Sequence, residues 1–170
     1  FYVFVYTIWL KRKTPQNIVI GGAAGALPPV IGWTIATNNI SIEPITFFLI
    51  IFFWTPSHFW ALSLYKVQDY KKANIPMMPI TNGIETTKKN IFIYSLLMLP
   101  AIALPYYVDF VGELFLVSGL ALTFYYNYLC YQLYSFKKNK FAIKKAQQIF
   151  GYSILYLFLV FVLFLVDRLV

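Results

Sequence analysis

The chain has 170 residues, with 14 Lys and Arg against 6 Asp and Glu and a formal net charge of +8. Sixty per cent of it is hydrophobic, 12% is charged and the mean hydropathy is +0.67, whereas a soluble domain carries about 25% charged residues. These values exclude a soluble globular class and indicate an all-α integral membrane protein. The cations cluster beside hydrophobic runs, which is a membrane pattern and argues against a nucleic-acid partner.

Residues 1–10 (FYVFVYTIWL) are too short to cross a bilayer and read as the end of a span, so an N-terminal truncation is expected. Lys11, Arg12 and Lys13 follow, then Thr14-Pro15, a helix-start signal. The first full span is expected at 18–37, broken at Pro28-Pro29, with Gly21 and Gly25 spaced for close helix approach. A second runs over 45–65 with Pro56, Ser57 and His58 inside it. A Lys-rich loop should occupy 66–90, and further spans 91–108 (bent by Pro100 and Pro105), 114–136 and 149–166. The expected architecture is a polytopic transmembrane helix bundle of five full spans plus a partial one. Cys130, alone in an apolar run, reads as a buried inert thiol.

Loop charge supports this order. The segments 11–13, 66–89 and 137–145 hold three, five and five cations, while 38–44 and 109–113 hold none. Thirteen of the 14 cations therefore fall on one side, and the positive-inside rule makes that side cytoplasmic, or the matrix side in a mitochondrion.

The stretch from Trp54 to Ile80 carries the chemistry. At 100° per residue, His58, Leu62, Tyr65 and Asp69 share one helical face, and a continuous helix would put His58 about 16 Å below Asp69 at roughly 1.5 Å per residue. Asp69, between Lys66 and Lys72 at a membrane surface, reads either as a charge-balanced helix end or as an anion site. In the second case its carboxylate holds Mg²⁺ and the cations hold phosphate oxygens, with Lys11 and Arg12 on the same side. His58, ionisable within a span, is a functional candidate by default. It reads as a neutral imidazole bonded to a carbonyl freed by Pro56, as a haem ligand, or as a donor lining a site. It is the chain's one histidine, so a protein-held transition metal is not expected.

Two segments, YTIWLKRKTPQNIVIGGAAGALPPVIGW and TPSHFWALSLYKVQDYKKANIPMMPI, closely resemble the protohaem IX farnesyltransferases, or haem O synthases, a branch of the UbiA-type intramembrane prenyltransferases. The resemblance extends over essentially the whole chain. It implies a nine-helix bundle of which this chain is the C-terminal part, a single transmembrane domain. The implied reaction transfers a farnesyl group from farnesyl diphosphate to a vinyl group of haem B, giving haem O for haem-copper oxidases. The implied roles are Asp69 as ligand of the Mg²⁺ that binds the diphosphate, Lys11, Arg12, Lys66 and Lys72 as diphosphate ligands, and His58, Tyr65 and Tyr70 as catalytic residues, with Trp60 a further aromatic shelter for the allylic cation.

The family's first aspartate motif would precede Phe1, so this piece alone is expected to be inactive. In the second motif, D-x-x-x-D in most relatives, Ala73 stands where the second aspartate would be, a departure that favours haem over quinone substrates. The implied setting is a lipid bilayer, the bacterial cell membrane or alternatively the mitochondrial inner membrane, with haem A synthase or oxidase assembly proteins as candidate partners. The competing readings are a UbiA-type enzyme with an aromatic or quinone-precursor acceptor, and a broken-helix transporter, for which Pro28-Pro29 and His58 would serve.

Overall fold

The computed structural model describes residue 4, residues 13–136 and residues 139–169, the side chains of 139–141 aside. Every regular element among the described residues is a helix: α1 (Asn17–Gly25), α2 (Pro28–Thr37), α3 (Ile42–Tyr65), α4 (Val67–Lys72), α5 (Met78–Thr81), α6 (Ile84–Tyr107), α7 (Glu113–Ser135) and α8 (Asn139–Asp167). Five segments, with α1 and α2 counted as one, are long and apolar enough to cross a membrane. The partial span expected at 1–10 lies, Phe4 apart, outside the described residues.

Four long helices form the bundle. α3 packs against α6 and α8, α7 closes the ring between them, and α1 and α2 lie against α3. The inner stripes follow helical spacing: Ala142, Ala146, Ile149, Ser153, Tyr156 and Val160 on α8 are all buried. Unlike a soluble bundle, these stripes hold many of the polar side chains, while Phe124, Leu155 and Phe158 face outward. Lipid is as apolar as leucine, so packing and interhelical hydrogen bonds hold such helices together. Ser95 bonds Asn127 at 3.0 Å, Tyr126 donates to Ser57 at 2.8 Å, and Thr123 meets Tyr156 at 3.0 Å. Cys130 is buried among them, as its sequence setting suggested.

The first span is broken, as the double proline required, but the break falls at Ala26-Leu27 because Pro28 begins α2, where a missing N–H costs nothing. Close approach in this span is made at Gly22, and Gly25 of the expected pair does not take part. A Cβ on Gly22 would stand 3.0 Å from Thr55, whereas one on Gly25 would meet nothing within 4 Å.

The basic loops are shorter than expected. α6 begins at Ile84, directly after Gly83, whose φ of +85° suits glycine, and α8 begins at Asn139, ten residues before the expected span. Lys88 is therefore helical and wholly buried. Its Nζ donates to the Phe136 carbonyl at the end of α7 (2.6 Å) and pairs with Glu85 (2.7 Å). At the other end of the bundle, Asp167 accepts from the amides of Gly112 (2.7 Å) and Phe115 (3.0 Å), capping α7 from the last turn of α8. Arg168 lies over the Phe110 ring, which packs on Phe47 and Phe164.

Two substitutions probe these end ties in the detergent-purified full-length protein. Asp167→Ala removes the acceptor for two amides and is expected to cost about 1–2 kcal/mol in denaturant unfolding. Lys88→Ala removes the donor to the Phe136 carbonyl and is expected to cost about 1–3 kcal/mol, against less than about 0.5 kcal/mol for exposed Lys89→Ala. Parent-like unfolding midpoints for both would show that the ties contribute nothing.

Candidate active site

The segment 54–80 does not form one continuous stripe. α3 ends at Tyr65, and Lys66, with φ −106° and ψ 21°, caps both α3 and the following α4. Asp69 therefore stands on a separate short helix, and the expected His58-to-Asp69 face is interrupted at Lys66. The site has two parts, a caged imidazole within the slab and a charged mouth beyond it.

His58 follows Pro56, whose ring removes one N–H from the helix. Thr55 and Ser57 turn their hydroxyls back onto the Ile51 and Trp54 carbonyls around it. The imidazole is 6% exposed. Trp54 stacks on the ring at 4.3 Å and 18°, Phe150 from α8 stacks on it at 4.5 Å and 24°, and Phe59 meets it edge-on at 4.9 Å. Its Nδ1 lies 2.6 Å from the Ser153 hydroxyl, so the partner is a side chain of α8 and not a carbonyl freed by Pro56. The Trp54 indole N–H donates to the Ser153 carbonyl at 2.9 Å, fastening the cage to the same residue. A cavity of about 260 Å³ between α1 and α3 shares Trp54 and Phe59 with the cage, and Gly21, Gly22, Gly25 and Thr55 complete much of its wall.

Tyr65 packs edge-on against Phe150 at 6.0 Å, which extends the aromatic ladder from Trp54 through His58 and Phe150 towards the mouth. There Lys66 and Asp69 pair at 3.2 Å with both side chains more than half exposed, an arrangement worth little for stability and open to a ligand. The Tyr70 phenol has its pKa raised by partial burial, with Tyr65 and the Asp69 carboxylate adding to the effect. It stays protonated at neutral pH and can donate a hydrogen bond. Lys72 is exposed on α4 and has no ion pair among the described residues. Lys11 and Arg12 lie outside the described residues. Trp60 is 0% exposed and packs against Tyr94 in the core, so the expectation that it shelters a reacting cation is withdrawn.

No group of three potential metal-ligating side chains occurs among the described residues. Mg²⁺ commonly takes one or two carboxylates and completes its shell with water and substrate phosphates. Asp69 therefore suits an ion held mainly by a diphosphate and not one held by this segment alone. A groove of about 660 Å³ between α7 and α8 is apolar and contains none of the candidate residues. Sequence reasoning missed Phe150 and Ser153. The visible signal was a lone serine in the otherwise apolar last span, the same kind of oddity that drew attention to His58.

The sequence profile of the UbiA prenyltransferase family matches residues 1–162. The chain belongs to that family. Among curated UbiA-type relatives, the chain is 79% identical over 168 residues to a protein named protoheme IX farnesyltransferase from Pelagibacter ubique, covering 99% of this chain and 55% of that protein. It is 50% identical over 168 residues to the protein of that name from Parvibaculum lavamentivorans (99% and 53% covered), and 47% identical over 172 residues to that from Orientia tsutsugamushi (99% and 53% covered). The chain thus spans about half the length of the curated relatives it matches. No solved structure matches it significantly. The resemblance read from the sequence is borne out, and this UbiA chain is an integral multi-pass membrane protein of a prenyltransferase family.

Proposed function

We propose that this UbiA chain is part of a haem O synthase, which transfers a farnesyl group from farnesyl diphosphate to a vinyl carbon of haem B. The observation that carries the reading is the 79% identity, over 99% of the chain, to a relative named for that reaction. The site accords with it: an aromatic ladder around a caged imidazole within the membrane opens towards an exposed mouth of Lys66, Asp69 and Lys72. Such an arrangement suits one amphiphilic substrate with a diphosphate head and another with a flat apolar ring.

At the mouth, Lys66 and Lys72 would meet the diphosphate oxygens as point charges, with Lys11 and Arg12 completing the set. Asp69 would hold Mg²⁺, which when bound neutralises charge on the leaving diphosphate. Tyr70 donates a hydrogen bond at the same level, and the faces of Tyr65 and Tyr70 stabilise positive charge left on the allylic carbon once the head group departs. The surrounding aromatic wall excludes water, which would otherwise capture that cation. His58, deeper on α3, orients the haem. The chain would be the C-terminal part of a nine-helix bundle with the basic side facing the cytoplasm of a bacterium, making haem for haem-copper oxidases.

Asp69→Asn in the full-length protein tests the mouth. It removes a charge and keeps the shape, and a lost charge-assisted contact of about 1.5–3 kcal/mol lowers haem O formation roughly 10- to 150-fold if felt mainly in the transition state. The control is Glu113→Gln at the opposite end of the bundle. Glu85 does not serve as a control, because it pairs with buried Lys88. Parent-like activity of Asp69→Asn at every Mg²⁺ concentration would reduce Asp69 to a solvated helix end. Prenylation of an aromatic quinone precursor in place of haem would transfer the site to the competing acceptor.

Sidedness is tested separately. A cysteine at position 139 is expected to resist a membrane-impermeant thiol reagent added outside sealed cells, and labelling from outside would invert the topology.

A further inference from the structure

We propose that Ser153 is a positioning residue that holds His58 as its Nδ1–H tautomer, so that Nε2 is presented as a bare lone pair to the iron of a porphyrin. The tautomer follows from hydrogen counting, and the choice of iron rests on the function proposed above. A serine hydroxyl has one hydrogen. The Ser153 Oγ lies 2.6 Å from the Phe150 carbonyl, which can only accept, so the hydroxyl hydrogen occupies that contact; two oxygens so close with no hydrogen between them would repel. The same Oγ lies 2.6 Å from His58 Nδ1. With its own hydrogen already committed, the hydroxyl accepts there, and Nδ1 supplies the hydrogen. A neutral imidazole carries one ring hydrogen, so Nε2 has none.

The surroundings prevent an easy exchange of the two nitrogens. Trp54 and Phe150 both stack on the ring within 4.5 Å, so a flip would have to part the stack. Trp54 is itself tied to the Ser153 carbonyl, and Ser153 is wholly buried, so cage and acceptor move as one unit. Nε2 has no hydrogen-bond partner among the described residues and is not among their fully buried unsatisfied atoms.

This assignment separates two chemistries that residue type alone leaves open. A bare Nε2 can bind an electron-poor metal centre or accept a hydrogen bond. It cannot donate to a carboxylate or a diphosphate oxygen. His58 is thereby suited to the iron of haem, and unsuited to its propionates or to the prenyl donor's head group. A fixed Nδ1–H also follows the general habit of ligating histidines, whose second nitrogen is held by an outer partner.

Two measurements on the ¹⁵N-histidine-labelled full-length protein test the proposal. Nitrogen NMR without substrate, with the His58 signals identified by their loss in His58→Gln, is expected to show a hydrogen-bearing Nδ1 and a bare Nε2. A hydrogen on Nε2 in the parent protein overturns the assignment. Haem titration followed at the Soret band is then expected to show roughly 10- to 100-fold weaker binding for Ser153→Ala, with the band position of its complex shifted towards that of His58→Gln. An Nδ1–H tautomer together with a Soret band unaffected by His58→Gln would overturn the iron assignment and leave the tautomer standing. The failure of either half is thus distinguishable.

Discussion

The structure depends on one constraint: within a bilayer core no water is available to complete hydrogen bonds, so each polar group must find its partner in the protein. Helices meet this demand for the backbone, and the same demand decides where side chains go. The hydroxyls of Thr55, Ser57, Ser95 and Thr123 turn back onto carbonyls of their own helices, and those of Ser57, Ser95 and Thr123 also meet Tyr126, Asn127 and Tyr156. Contacts of this kind average about 0.6 kcal/mol across membrane helices. They set register between helices whose apolar surfaces would otherwise slide freely.

The proposed site uses the same economy of partners. Ser153 joins two helices through two contacts, its hydroxyl to His58 and its carbonyl to Trp54, while its hydroxyl also turns back to the Phe150 carbonyl on its own helix. The imidazole is thereby held without a charged neighbour, in an environment of aromatic faces. The mouth is built by opposite means. The exposed Lys66–Asp69 pair is free to exchange partners because water screens it. The aromatic ladder runs from the cage towards the mouth, while the break at Lys66 separates the span from the short helix that carries the charge.

Much of this was legible in the residues. Composition and loop charge identify a membrane bundle, and runs of about 20 apolar residues place five spans. Boundaries were less legible, because Ile84–Asn90 and Asn139–Gln148 are polar enough to read as loop and yet continue their helices beyond the apolar run. Lys88 shows the physical reason: a cation at a helix start can be buried when it caps the end of a neighbour. Helical spacing put His58 and Tyr65 on one helix, and both lie on α3. It failed for Asp69, because spacing carries no information across a helix break. Ser153 lies 95 positions from His58, and no local pattern could have joined them.

The carboxylate of Asp167 sits in the last turn of α8, yet the amides it caps open α7, more than 50 positions earlier. During synthesis the start of α7 therefore enters the bilayer surface well before its cap exists, and headgroup water must serve those amides meanwhile. Only when α8 has been threaded back through the membrane does the carboxylate arrive to replace it. Closure of the α7–α8 hairpin therefore waits on the last turn of α8.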